Sequence, residues 1–173
     1  MSAVDPASDS GPGADLLNGP LKDKQINIFK HLAAHPSVLK AFLGFVGGTM
    51  AGALTEKEHE IVALTIAQHA ECDYCLAAHS VMAAGAGFND EQVLSIRRGN
   101  PSDDRHAALS AFTRAILSTN GNVSDDDLAA FRGAGYDDAA VIEVIGQIAA
   151  GTFTSLFNHV NRTEVDFPAA AAL

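Results

Sequence analysis

The 173-residue chain has little positive charge, no tryptophan and only two cysteines. Lys and Arg together number 11 against 21 acidic residues, which gives a net charge of −10. Nucleic-acid binding requires clustered Lys and Arg that neutralise phosphates, so this composition argues against a nucleic-acid partner. An anionic membrane surface would repel the chain for the same reason.

Signals for export and membrane insertion are also missing. The N-terminal segment has neither the positive start nor the apolar stretch of a secretory signal. Nowhere do 18 or more apolar residues follow one another, so we expect no transmembrane helix. These features predict a cytoplasmic protein, where free thiols persist. Asp, Ser, Gly and Pro dominate residues 1–19 and predict a flexible N-terminal tail, and residues 166–173 are expected to form a loosely attached C-terminal tail.

The remaining residues, 20–165, predict a single all-α domain. Apolar residues recur with helical spacing, and strand signals do not, which predicts a bundle of about seven to eight helices. Thr55 and Glu58 form a capping-box pattern. It opens a helix from Glu56 to about Ala70 that is apolar almost all round and is therefore expected to be buried. With the next predicted helix, about 73–85, it forms a buried helical hairpin.

The two cysteines lie three residues apart, at the start of the second helix of this hairpin. The unpaired N–H groups of a helix N-terminus stabilise a thiolate, and CxxC spacing lets Cys72 and Cys75 alternate between dithiol and disulfide. His79 follows Cys75 by one helical turn, so its imidazole is placed to carry protons near that sulfur. Glu60 lies on the buried preceding helix, where a carboxylate needs a partner, and His79 is the candidate.

The segment from Glu60 through Cys72, Tyr74 and Cys75 to His79 resembles the alkylhydroperoxidase D-like branch of the carboxymuconolactone decarboxylase superfamily. The resemblance is strongest over residues 56–88, and the ending 158–162 is similar to the close of many members. It implies an all-α fold that assembles as trimers or hexamers. It also implies thiol peroxidase activity, in which Cys75 attacks the peroxide, Cys72 resolves the intermediate, and Glu60 and His79 relay protons.

On this interpretation the substrate is a small peroxide, and a dithiol protein or a lipoyl-type carrier reduces the disulfide. Neither a metal nor another cofactor is required. The best-studied branch has a second histidine where this chain has Tyr74. We interpret Tyr74 as a packing residue with a polar tip in preference to a catalytic acid. Asn158 and His159 are secondary candidates that line the same pocket.

Two alternative functions remain open at this stage. One is an acid–base decarboxylase or isomerase of the same superfamily that uses Glu60 and His79. The other is a zinc-binding or redox regulatory module, for which His69, Cys72, Cys75 and His79 offer ligands of the kind that zinc accepts. The other histidines are expected on surfaces or at helix ends; they are His31, His35, His59, His69 and His106.

Overall fold

The computed structural model describes residues 1–173, and all of its regular secondary structure is helical. The all-α prediction is confirmed, although the helices number nine rather than seven to eight. In chain order they are α1 (Pro12–Asn18), α2 (Asn27–Leu32), α3 (Pro36–Thr49), α4 (Glu56–His69), α5 (Asp73–Gly85), α6 (Asp90–Arg97), α7 (Asp104–Thr119), α8 (Asp125–Gly133) and α9 (Asp138–Asn161).

Helix α4 is the centre of the fold and contacts α5, α6, α7 and α9. The predicted capping box opens it: the Thr55 hydroxyl accepts the N–H of Glu58, and the Glu58 carboxylate accepts the N–H of Thr55. Ile61, Val62 and Leu64 are completely buried, as expected for a helix without a wide polar face. The prediction of a buried hairpin made by α4 and α5 is therefore confirmed.

The buried apolar side chains form two clusters that meet along α4 and α5. The second cluster contains both cysteines and also Leu16 and Leu17 of α1. The prediction of a flexible tail through residue 19 is thus wrong for α1. Its composition is rich in turn-forming residues, but the two leucines supply enough apolar surface to fix this short helix against the cysteine-bearing hairpin.

The C-terminal segment is also held more firmly than expected. The Asp166 carboxylate accepts the backbone N–H of Asn27 at 2.7 Å, and the Phe167 ring lies edge-on against Tyr74. Helix α3 continues through Gly47 and Gly48, although glycine is a common residue at helix ends. Glycine lowers helix propensity only by about 1 kcal/mol, and the contacts of α3 with α9 offset that cost.

Helix α9 is long and apolar enough to cross a membrane by length and composition alone. The core helices of globular proteins pass the same test, and α9 contacts α3, α4, α5 and α7 along its length. Its outward face carries an exposed row of apolar and small side chains, here called the α9 stripe. The stripe consists of Ile142, Ile145, Ala149, Thr152, Leu156 and Val160.

Glu58 joins the start of α4 to two other parts of the fold. Its carboxylate accepts hydrogen bonds from Tyr136 at 2.8 Å and from Arg105 at 3.0 Å, in addition to those from Thr55. Burial alone would raise the pKa of Glu58, but the hydrogen bonds from Thr55, Tyr136 and Arg105 together lower it to about 2. The ionised form of Glu58 is therefore the one that stabilises the native state.

We expect Glu58→Gln to lower the free energy of unfolding at pH 7 by about 1–3 kcal/mol, the usual contribution of hydrogen bonds to a charged group. Because the native pKa lies below that of the unfolded chain, this contribution is complete above about pH 4.5 and is lost as the pH falls towards 2. Urea unfolding across this range tests the prediction. Glu91→Gln, at an exposed residue, is the matched control. A stability difference between the wild type and Glu58→Gln that persists at pH 2 would contradict the assignment.

Candidate functional site

The turn between α4 and α5 fixes the backbone of Cys72. Glu71 adopts the left-handed conformation, with φ of 51°, at the position where glycine usually ends a helix. The N–H of Glu71 bonds to the carbonyl of Gln68, and the N–H of Cys72 bonds to that of Ala67. These two bonds form a Schellman motif, so Cys72 is held by the last turn of α4.

The same residue is also the N-cap of α5. The Cys72 Sγ accepts the backbone N–H of Cys75 at 3.2 Å, in the way that a serine or threonine oxygen caps a helix. Cys72 and Cys75 are joined in a disulfide, with their Cα atoms 5.2 Å apart. Both are buried, but Cys75 is 6% exposed and Cys72 only 1%. When the pair is reduced, the helix N-terminus favours the thiolate form of Cys72.

Helix α9 supplies two polar side chains to the sulfurs. The Asn158 Nδ2 lies 3.6 Å from the Cys75 Sγ and 3.9 Å from the Cys72 Sγ, and the Ser155 Oγ lies 3.5 Å from the Cys75 Sγ. Asn158 was a secondary candidate in the sequence, and Ser155 was missed. Ser155 and Asn158 are three residues apart, so they lie on the same, inward face of α9. This spacing identifies Ser155 only if one already knows that α9 packs against the CxxC segment.

Glu60 and His79 form a hydrogen-bonded pair across the α4–α5 hairpin. The Glu60 Oε2 lies 2.9 Å from the His79 Nδ1. The carboxylate is 8% exposed, whereas the imidazole is 31% exposed and therefore reaches solvent. His79 is one turn after Cys75 on α5, so the pair lies on the helix face that carries this sulfur. The arrangement can pass a proton between solvent and the cysteine face of α5.

Tyr74 is buried, and its hydroxyl is engaged in contacts that hold chain segments together. The hydroxyl donates to the Asp166 Oδ1 at 2.8 Å and accepts the backbone N–H of Ile28 at 3.2 Å. Burial raises the pKa of Tyr74, and the Asp166 carboxylate raises it further, so the phenol stays protonated at neutral pH. His159 is exposed, and the structure does not bring it into the cluster around the cysteines.

The expectation that His59 lies on a surface or at a helix end is wrong. It is buried between α4 and α9, where its Nδ1 contacts the Gln147 side chain and its Nε2 lies 3.2 Å from the Glu143 Oε1. The other Glu143 oxygen accepts the backbone N–H groups of Ala53 and Leu54. The signal was present in the sequence, because a helix that is apolar all round leaves no exposed face for His59.

The zinc alternative finds no support in the arrangement of its four residues. His69 is exposed at the end of α4, and the two cysteines are bonded to each other. No group of three or more His, Cys, Asp or Glu side chains in the structure is placed to hold a metal ion.

The comparison with protein families agrees with this geometry. Residues 36–116, which run from α3 into α7 and include Glu60, both cysteines and His79, match the model of the carboxymuconolactone decarboxylase family. The resemblance to the carboxymuconolactone decarboxylase superfamily that was inferred from the CxxC segment is therefore confirmed over these residues. No curated protein matches the sequence at a significant level.

Solved structures define the fold of the whole chain. An uncharacterised peroxidase-related protein from Ralstonia eutropha, described as an alkylhydroperoxidase AhpD core, superposes with a TM-score of 0.83 at 18% identity, covering 97% of this chain and 91% of the other. A peroxidase-related protein from Silicibacter sp. gives 0.72 at 19% identity, with 95% and 94% covered. The debrominase Bmp8, as a cysteine-to-alanine variant with 2,3,4-tribromopyrrole, gives 0.68 at 20% identity, with 81% and 76% covered. At these identities the likeness establishes the fold.

Tyr74→Phe separates a structural role of the phenol from a chemical one. Loss of the hydroxyl leaves the Ile28 N–H without a partner and removes one of the two hydrogen bonds that the Asp166 carboxylate accepts, so we expect the free energy of unfolding to fall by about 1–3 kcal/mol. The rate at which iodoacetamide alkylates the reduced cysteines should stay within a factor of about two. A tenfold change in that rate with unchanged stability would instead identify the phenol as part of the reactive site.

Proposed function

We propose that this protein is a thiol peroxidase that reduces small organic hydroperoxides through Cys75 and Cys72. The observation that carries the proposal is the meeting of a CxxC pair at the N-terminus of α5 with His79, which lies on the same helix, reaches solvent and bonds to Glu60 of α4. The match of residues 36–116 to a family that includes such enzymes adds support.

Cys75 is assigned as the residue that attacks the peroxide. Of the two cysteines it is the more exposed residue, and its sulfur lies closer to the side chains of Ser155 and Asn158. It also shares a face of α5 with His79, which connects it to solvent. Cys72 is assigned as the resolving residue, because its role as N-cap stabilises the thiolate that resolution requires.

The proposed cycle balances without a metal or another cofactor. The Cys75 thiolate attacks the terminal oxygen of ROOH, the O–O bond breaks, and a proton relayed by His79 and Glu60 converts the leaving alkoxide to ROH. Cys75 is then a sulfenic acid. The Cys72 thiolate attacks its sulfur, and the departing hydroxide takes up a proton and leaves as water. The product is the Cys72–Cys75 disulfide.

An external dithiol, either a protein or a lipoyl-type carrier, returns the pair to the reduced state. One of its thiolates attacks the Cys75 Sγ to form a mixed disulfide, and Cys72 leaves as a thiolate that accepts the N–H of Cys75. The second thiolate of the dithiol then attacks the mixed disulfide and displaces Cys75 as a thiolate. A leaving thiolate of lower pKa departs faster, so the helix cap that assists resolution also assists reduction. The dithiol gives up two electrons and two protons and ends as a disulfide.

Prereduced protein mixed with cumene hydroperoxide tests the proposal. We expect the wild type to lose both thiols, Cys75→Ser to be inert, and Cys72→Ser to stop at a sulfenic acid that dimedone traps. Glu60→Gln should slow the oxidation about a hundredfold, the lower range for a lost proton relay. Ser118→Ala, on the exposed face of α7, is the control.

Thiols that react no faster than free cysteine would refute the peroxidase proposal. The acid–base alternative would then predict turnover of a carbonyl or lactone substrate that survives replacement of both cysteines by serine. The zinc-module alternative would predict a stoichiometric metal in protein purified without added zinc, with no turnover.

We further propose that the protein assembles with copies of itself through the α9 stripe. Residues 144–158 carry no charged side chain, although the chain as a whole has a net charge of −10. Two copies of so acidic a protein approach most easily where no charge faces the contact. Ile142, Leu156 and Val160 are each more than half exposed in the single chain, and an apolar row of this kind marks an interaction surface.

Leu156→Glu should therefore shift the protein towards monomer, since it places a charge within the proposed contact. Sedimentation velocity at several concentrations measures the change, and Ser118→Glu adds the same charge away from the stripe. Equal sedimentation of the wild type and Leu156→Glu as monomers would exclude self-association through this face.

A further inference from the structure

Asn158 is the one side chain that lies within hydrogen-bond range of both sulfurs, and half of its amide has no partner. It is 4% exposed, and its Nδ2 points to the disulfide. The Oδ1 on the same amide is buried and accepts no hydrogen bond from any protein group. A buried carbonyl oxygen without a donor is costly, and native proteins rarely leave one unsatisfied.

Disulfide sulfur has no hydrogen to give, whereas a thiol does. Reduction breaks the S–S bond and, with two electrons and two protons, makes two S–H groups. Rotation of the Asn158 amide about its last side-chain bond, a soft torsion, exchanges Oδ1 and Nδ2 and lets a thiol of Cys72 or Cys75 donate to the oxygen. The amide oxygen therefore gains a donor only in the reduced protein.

We propose that Asn158 is a positioning residue that makes the Cys72–Cys75 disulfide easier to reduce, because its Oδ1 finds a donor only in the dithiol state. The inference rests on the redox cycle of the proposed function, and it identifies a side chain that sets the reduction potential of the Cys72–Cys75 pair. Ser155 does not have this effect, since its hydroxyl can rotate to find an acceptor in either state. The consequence is a pair that oxidises its dithiol partner more readily than its sequence spacing alone dictates.

Equilibration with dithiothreitol redox buffers tests the proposal, with the dithiol fraction counted by alkylation and mass measurement. Dithiothreitol supplies the two electrons and two protons and becomes its cyclic disulfide. We expect Asn158→Leu to lower the equilibrium constant for reduction about tenfold, which is about 30 mV for a two-electron couple. Asn158→Asp keeps an oxygen acceptor and should stay at or above the wild-type potential.

Two further variants control for structural effects. Asn161 lies on the same helix but bonds to Thr163 and to the N-terminus, so Asn161→Ala should leave the potential unchanged. Asn158→Ala tests the same amide without added volume if the leucine variant does not fold. An unchanged potential in the folded Leu or Ala variant would overturn the proposal. An equal decrease in the Leu and Asp variants would also overturn it, because the amide donor would then be responsible.

The experiment contains no peroxide, so its result is independent of the peroxidase assay. A shifted potential in a protein that does not react with cumene hydroperoxide would refute the proposed function and leave the role of Asn158 standing. If the protein reacts with cumene hydroperoxide but the Asn158 variants keep the wild-type potential, the proposed function stands and the role of Asn158 is refuted.

Discussion

The arrangement of the site depends on one turn, the junction at which α4 ends and α5 begins. Cys72 donates its N–H to the last turn of α4, and its sulfur caps the first turn of α5. One residue therefore fixes the direction of both helices, and the αL conformation of Glu71 provides the reversal between them. Because Glu60 and His79 lie on the two helices that this turn joins, their 2.9 Å contact follows from the same constraint.

Three consecutive acidic or imidazole side chains of α4 bind three different neighbours. Glu58 bonds to Arg105 of α7 and to Tyr136, His59 faces α9, and Glu60 bonds to His79 of α5. Successive helical residues point about 100° apart, so adjacent positions on a buried helix necessarily reach different elements. Glu58 and Glu60 are thus each hydrogen-bonded to a partner, and His59 lies 3.2 Å from the Glu143 carboxylate, as expected for polar groups in a core.

The sequence predicted the parts of this structure that depend on neighbouring residues. The capping box at Thr55, the hairpin and the Glu60–His79 pairing all follow from helical spacing over short separations. Contacts across the chain could not be predicted in this way: Asp166 reaches Tyr74 over 92 residues, and Ser155 reaches Cys75 over 80. The helix α1 was missed because its turn-forming composition obscured Leu16 and Leu17, whose burial depends on a surface made by distant residues.

Solvent exposure distinguishes the two glutamate–histidine pairs and decides which of them is suited to proton transfer. The His59–Glu143 pair is sealed, with 5% of each side chain exposed, and Glu143 is occupied by the backbone of residues 53 and 54. In the Glu60–His79 pair the carboxylate is equally enclosed, but the imidazole reaches solvent and shares a helix face with Cys75. A proton relay needs one end in water and the other near the reacting atom. The sealed His59–Glu143 pair is therefore suited to supporting the fold, whereas the Glu60–His79 pair is the one that combines access to solvent with a place on the cysteine-bearing helix.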